Sequence, residues 1–122
     1  MTDAEIVTAF LDASMKPDPD TAALYLAPDI QIGFTGRKFT SPHEASAFNA
    51  RRYKWVKKQY EKMDVVEKDD HTVVYSLGTL YGEWPDGTPF EGNRYIDRFE
   101  VRNGKITRMD VWNESAERIL GL

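Results

Sequence analysis

The sequence predicts an α+β fold in which helices come first and a strongly curved antiparallel sheet follows. Through the first half of the chain, apolar residues recur mainly at helical spacing, with one alternating segment between helices; after Met63 the period becomes two and stays there. Turn signals punctuate the second part, with Asp86-Gly87 and Asn103-Gly104 each set between alternating runs. A chain of 122 residues closes one core without disulfides or metal, so residues 1–122 are expected to form a single domain.

The first helix opens at Thr2, with Glu5 completing a capping box, and carries Ile6, Val7, Phe10, Leu11 and Met15 on its apolar side. "KPDPD" ends it and starts a short second helix: Asp18 is the cap, Pro19 the first position, and Leu24, Tyr25 and Leu26 the body before Pro28. "DIQIGFTG" alternates as a strand and turns at Gly36. The third helix begins at Ser41-Pro42 with Glu44 and is expected to run through Met63, with Ala45, Phe48, Arg52, Val56 and Tyr60 along one stripe and Trp55 beside it. Strands "DVVEK", "TVVYSLGTLYGEW", "PFEGNRYIDRFEV" and "KITRMDVWN" follow, then a short C-terminal helix, "ESAERIL".

Composition narrows the function classes. The chain has no cysteine, which removes thiolate zinc sites and cysteine nucleophiles, and its two histidines lie far apart with no carboxylate at ligand spacing, so no metal motif is present. A net charge of -4 argues against nucleic acid as a partner. The one basic run, Arg51 to Lys62, reads as the solvated face of an amphipathic helix. An acidic N-terminus and the absence of a long apolar run lead to the expectation of a soluble cytoplasmic protein without membrane contact.

This order of elements, closed by the hairpin "YIDRFEVRNGKITRMDVWN", resembles the SnoaL-like branch of the NTF2-like superfamily. The resemblance implies a cone: a bent sheet wrapped around three N-terminal helices, an internal pocket open at one end, and homodimers paired through the outer face of the sheet. It also implies a range of roles, from ketosteroid isomerases, epoxide hydrolases, polyketide cyclases and dehydratases to nuclear transport factors. "IDRF" aligns with the isomerase strand that carries a pocket aspartic acid, which places Asp97 in the cavity. The general-base aspartate of those isomerases falls at Gly33 and their helix-one tyrosine near Thr8 or Ala9, so steroid-type isomerisation is not implied. In the epoxide hydrolases a last-strand aspartate would fall beside Asp110, but the Arg-x-Asp pair falls near Ser76 and Gly78.

Which way Asp97 points depends on the register of the last hairpin, because a one-residue slip exchanges the two faces of a strand. A two-residue turn on Asn103-Gly104 would put Asp97 and Asp110 on one face as a carboxylate pair. A three-residue loop, Arg102 to Gly104 with a bulge at Gly104, pairs Val101 with Lys105 and gives Asp97 the company of Met109, Val111 and Asn113. The looped register avoids burying an unpaired Asp110 charge and is preferred. It keeps Tyr95, Phe99, Val101, Met109 and Val111 inside, and Arg94, Arg98, Glu100, Arg108 and Asp110 outside. Ser76, Gly78 and Leu80 then share the face of Asp97, with Gly78 and Gly82 marking bends or room for a ligand. Ile96, Trp112 and Tyr81 on the outer face suggest the dimer contact.

Two functions stand open. In one, the protein is a cofactor-free isomerase, cyclase or dehydratase with Asp97 as acid or base, oriented by Arg52 or a tyrosine. In the other it is a non-catalytic dimeric module that binds a small organic ligand or a protein, and Asp97 is a buried carboxylate satisfied by Arg52 or Tyr53. The candidate lining is Phe48, Arg52, Tyr53, Trp55, Ser76, Leu80, Tyr95, Phe99, Met109, Val111 and Asn113, with Asn113 also placed to cap the last helix. His43 and His71 read as surface residues.

Overall fold

In the computed structural model, which describes residues 1–121, helix α1 (Asp3–Met15) starts at the expected capping box. The Thr2 hydroxyl accepts from the Glu5 N–H at 3.1 Å, and the Glu5 carboxylate accepts from the Thr2 N–H at 2.9 Å. Its buried face is Ile6, Val7, Phe10, Leu11 and Ala13. The second helix, α2 (Pro19–Ala23), is capped by Asp18, whose carboxylate accepts from both the Thr21 N–H and its hydroxyl. This helix is shorter than expected. Leu26 belongs instead to strand β1 (Leu26–Phe34), and Pro28 lies within that strand. Pairing of β1 is interrupted between Leu26 and Gln31, the one place where a residue without an N–H costs the ladder nothing.

A short strand β2 (Arg37–Phe39) folds back on β1 around Gly36, which takes φ 74°. Helix α3 (Pro42–Arg52) starts at Ser41 as expected but stops at Arg52, where Tyr53 turns to extended backbone. The rest of the basic run is strand β3 (Trp55–Glu67), not a helix face. Long aromatic and β-branched residues at Trp55, Val56, Tyr60, Val65 and Val66 favour a pleated surface, and twelve register pairs with the next strand outweigh the helix propensity of the lysines.

Strands β4 (Thr72–Glu83), β5 (Pro89–Arg102) and β6 (Lys105–Asn113) complete a curved six-stranded sheet in the order β2-β1-β6-β5-β4-β3. It is antiparallel except that β1 runs parallel to β6. Helix α4 (Ser115–Leu120) ends the described chain. Among the described residues no helix is long and apolar enough to cross a membrane.

The last hairpin combines features of both expected registers. Its turn is the two-residue one, with Asn103 and Gly104 both at positive φ and Arg102 opposite Lys105. The bulge sits at Thr107 rather than Gly104: Val101 pairs with Ile106 and Glu100 with Arg108, leaving Thr107 as the extra residue. That one residue returns Phe99 to Met109 and Asp97 to Val111, so the inward and outward sets are those of the looped register. Arg98 and Glu100 pair outside at 2.6 Å, and Arg108 and Asp110 at 2.9 Å.

The core lies between the concave face and α1, where the Phe10 and Phe99 rings meet edge to face at 5.9 Å. A second cluster of Tyr53, Leu80, Phe90 and Tyr95 fills the other end, with Trp84 stacked 4.1 Å over Phe90.

Candidate functional site

Asp97 occupies an inward position of β5, between Tyr95 and Phe99, and is fully buried. Its cross-strand neighbours, Ser76 on β4 and Val111 on β6, carry no charge. The compensating cation comes from one strand farther away. Lys58 of β3, paired with Leu80, reaches across β4 and forms a tight ion pair with the Asp97 carboxylate; its side chain is only 7% exposed. The ammonium also lies 4.5 Å above the Tyr95 ring centroid, a favourable cation–π position. Tyr95 is held in turn by a 2.9 Å hydrogen bond between its hydroxyl and that of buried Ser76.

Only one Asp97 oxygen is used by Lys58. The other, Oδ1, is buried without a partner among the described residues. Burial pushes the Asp97 carboxyl above the ordinary carboxylate range, and the Lys58 charge and hydrogen bond pull it only part of the way back. Burial also raises the Tyr53 and Tyr95 hydroxyls, so both remain neutral phenols.

The pair stands at the wall of a cavity of about 290 Å³, at the small end of the ~300–1,000 Å³ usual for ligand sites. Phe10, Leu11, Ser14 and Met15 of α1 line one side, with Pro17, Asp18 and Pro19 at the entry to α2. Ala45, Ser46, Asn49 and Arg52 of α3 form the second side, and Ile32, Phe34, Val56, Leu80, Met109 and Val111 supply an apolar sheet face.

Of the residues expected at the site, Asp97, Tyr95, Arg52, Tyr53, Trp55, Leu80, Met109, Val111 and Asn113 line this cavity. Three do not. Phe48 packs against Phe34 and Phe39 under the first hairpin, Phe99 is in the core against Phe10, and Ser76 lies behind Tyr95. The Phe48 ring is turned from the space although Ala45, Ser46, Asn49 and Ala50 on either side of it line the cavity. Neither Arg52 nor Tyr53 is the partner of Asp97: the Tyr53 hydroxyl donates to Ser115 at 2.6 Å, and Arg52 reaches Asn113 at 3.5 Å. Trp55 is a rim residue, 40% exposed, whose indole N–H donates to Glu83 at 2.7 Å. Asn113 does two jobs, lining the cavity while its carbonyl accepts the Ser115 N–H at 3.1 Å at the start of α4.

Gly78 and Gly82 leave room for backbone rather than for a ligand. A Cβ on Gly78 would come 2.1 Å from the Gln59 carbonyl, and one on Gly82 would come 2.2 Å from the Trp55 carbonyl. Outside the site, His43 contacts Asp20 at 2.7 Å and His71 contacts Asp70 at 2.7 Å. Among the described residues no group of His, Cys, Asp and Glu could hold a metal ion.

Lys58 is the site residue that the sequence reading missed. Its signal was the need of a lone inward carboxylate for a cation at an equally inward position, which only a strand reading of "WVKKQYEK" supplies.

A curved, unclosed sheet folded over N-terminal helices, with the buried Lys58–Asp97 pair bordering the cavity between them, defines an α+β fold of the NTF2-like kind. The chain belongs to the SnoaL-like domain family, whose pattern matches residues 7–109. No protein of curated function matches it. An NTF2-like protein of unknown function from Burkholderia pseudomallei superposes with a TM-score of 0.80 at 16% identity, over 98% of this chain and 97% of that one. TerC, co-crystallised with polyporic acid, gives a TM-score of 0.75 at 16% identity, over 96% and 95% of the two chains. A protein of ketosteroid isomerase-like fold from Catenulispora acidiphila, in complex with trimethylamine, gives 0.68 at 21% identity, over 91% and 86%. At these identities the likeness establishes the fold.

Proposed function

We propose that the cavity binds a small, largely apolar organic molecule and that Asp97 acts on it as a cofactor-free acid/base, in an isomerisation, cyclisation or dehydration. The observation that carries this reading is the buried, unpartnered Oδ1 of Asp97, a residue that borders the cavity and whose other carboxyl oxygen is fixed by Lys58. A carboxyl raised by burial takes up and returns a proton closer to neutral pH than an ordinary one, as an acid/base group must. Isomerisation needs nothing more, since the proton removed from one substrate atom is returned to another. Small molecules bound to TerC and to the Catenulispora protein are consistent with a ligand in this fold.

A second reading is favoured by the same ion pair: Lys58 neutralises Asp97 without any ligand, so the pair can be structural and the protein a non-catalytic binding module. The two readings separate in an Asp97→Asn variant assayed against enolisable ketones and β-hydroxyacyl compounds. The catalytic reading expects a folded protein whose turnover of any active compound falls by about 10²- to 10⁴-fold. Unchanged turnover, or the absence of turnover from wild-type protein that binds the same compounds, supports the binding module.

We also propose that two copies pair through the outer face of the sheet. Ile96 and Trp112 stand opposite each other there, 42% and 52% exposed, with Tyr81 on the same sheet at 41%.

A further inference from the structure

The cavity holds a second polar centre, and its chemistry points to the kind of molecule bound. Lys54, Lys57, Lys58 and Arg52 all line the space. The three lysines are engaged: Lys54 lies 3.8 Å from Glu83, Lys57 donates to the Met15 carbonyl at 2.6 Å, and Lys58 is paired with Asp97. Arg52 has no carboxylate partner among the described residues. Its guanidinium is held by the ring faces of Phe48 and Tyr53, at 5.1 and 5.3 Å, and by one long hydrogen bond to Asn113. Both Arg51 and Arg52 stand in the last turn of α3, where a cation complements the helix dipole, but Arg51 is exposed and Arg52 is turned to the cavity. A planar cation steered by two rings and left with most of its five donors unused is suited to a bidentate anion.

We infer that the ligand is a small apolar carboxylate whose anion sits on Arg52, a conclusion that rests on the pocket reading above. The register sets its dimensions. Asn113, which touches Arg52, is opposite Tyr95, and Val111 is opposite Asp97, so the two polar centres are offset by two residues, about 7 Å along the strands. A carboxylate anchored on Arg52 therefore brings to Asp97 an atom several bonds from the carboxyl group, across the apolar surface of Val111. Arg52 selects the substrate, and the Lys58–Asp97 pair meets its far end.

Isothermal titration with benzoate and naphthoate, their neutral amides, and benzylammonium tests the assignment. The wild-type protein is expected to bind the better carboxylate at least about tenfold more tightly than its amide, with benzylammonium weakest. Arg52→Met should bring that ratio to about one while circular dichroism stays native, and Arg52→Lys should restore part of it. Equal binding of carboxylate and amide by wild-type protein, or a preference that survives Arg52→Met, overturns the anion assignment and leaves the pocket reading standing. Binding of none of these probes overturns both.

Discussion

Lys58 and Asp97 form a buried ion pair although their strands are not neighbours: β4 lies between β3 and β5, and the lysine side chain crosses it on the concave face. Ser76 and Gly78, small residues on β4, leave the concave face beneath that path low, and the Tyr95 ring supports the ammonium.

Loss of either partner leaves the other charge buried. Lys58→Met and Asp97→Leu are each expected to destabilise the fold by about 3–5 kcal/mol, whereas the double variant, with apolar groups of similar volume, should fall within about 1–2 kcal/mol of wild type. Urea denaturation of the four proteins measures the coupling. Additive losses would mean that the two side chains act independently.

The lysine variant should also respond to pH. Burial holds the folded Asp97 pKa above its ordinary 3.8, and removal of Lys58 takes away the charge that opposes this. A carboxyl raised in the folded state contributes its stability fully below the unfolded pKa and loses it as pH rises through the folded value. Lys58→Met should therefore regain stability relative to wild type when the pH is lowered from about 8 to about 5. Unfolding midpoints at the two pH values report this, and a loss that stays constant across the range would place the defect in packing.

Gly78→Ala is expected to break the β3–β4 ladder beside Tyr60. Its Cβ would fall 2.1 Å from the Gln59 carbonyl and 2.9 Å from the Tyr95 ring, and backbone cannot yield as a flexible side chain can. A loss of more than about 3 kcal/mol, with faster amide exchange along β3, is expected. Native exchange at Gln59 and Tyr60 would show that the strands separate without cost.

Most of the frame was legible because local chemistry and global packing agree. Thr2 with Glu5, Asp18 with Pro19, and Ser41 with Pro42 each start a helix where the sequence places one. The inward set on β5 follows from alternation alone, once burial of Asp110 is judged too costly. At β3 the pattern misleads, because Ala45, Phe48, Arg52, Val56 and Tyr60 share helical spacing and no glycine or proline marks the end of α3 at Arg52. A lysine at an inward strand position blurs the period-two pattern that would have exposed the error. In the last hairpin the faces were legible but the bulge was not, because Thr107 is an ordinary strand residue and Gly104 is the more obvious bulge former.

Trp112→Glu tests the proposed pairing of subunits. The substitution puts a charge opposite Ile96 at the centre of the outer apolar patch, and light scattering is expected to change from dimer to monomer while circular dichroism stays native. A wild-type protein that is already monomeric would remove the patch from any subunit contact.

The role of Asp97 is tested most directly by carbon-detected NMR of its side-chain carboxyl, titrated with pH in the absence and presence of naphthoate. The expected result is a midpoint above the ordinary 3.8, which shifts when the ligand fills the cavity that Asp97 borders. A midpoint at or below 3.8 that does not respond to a bound ligand would contradict the assignment and leave Asp97 as a structural partner of Lys58 alone.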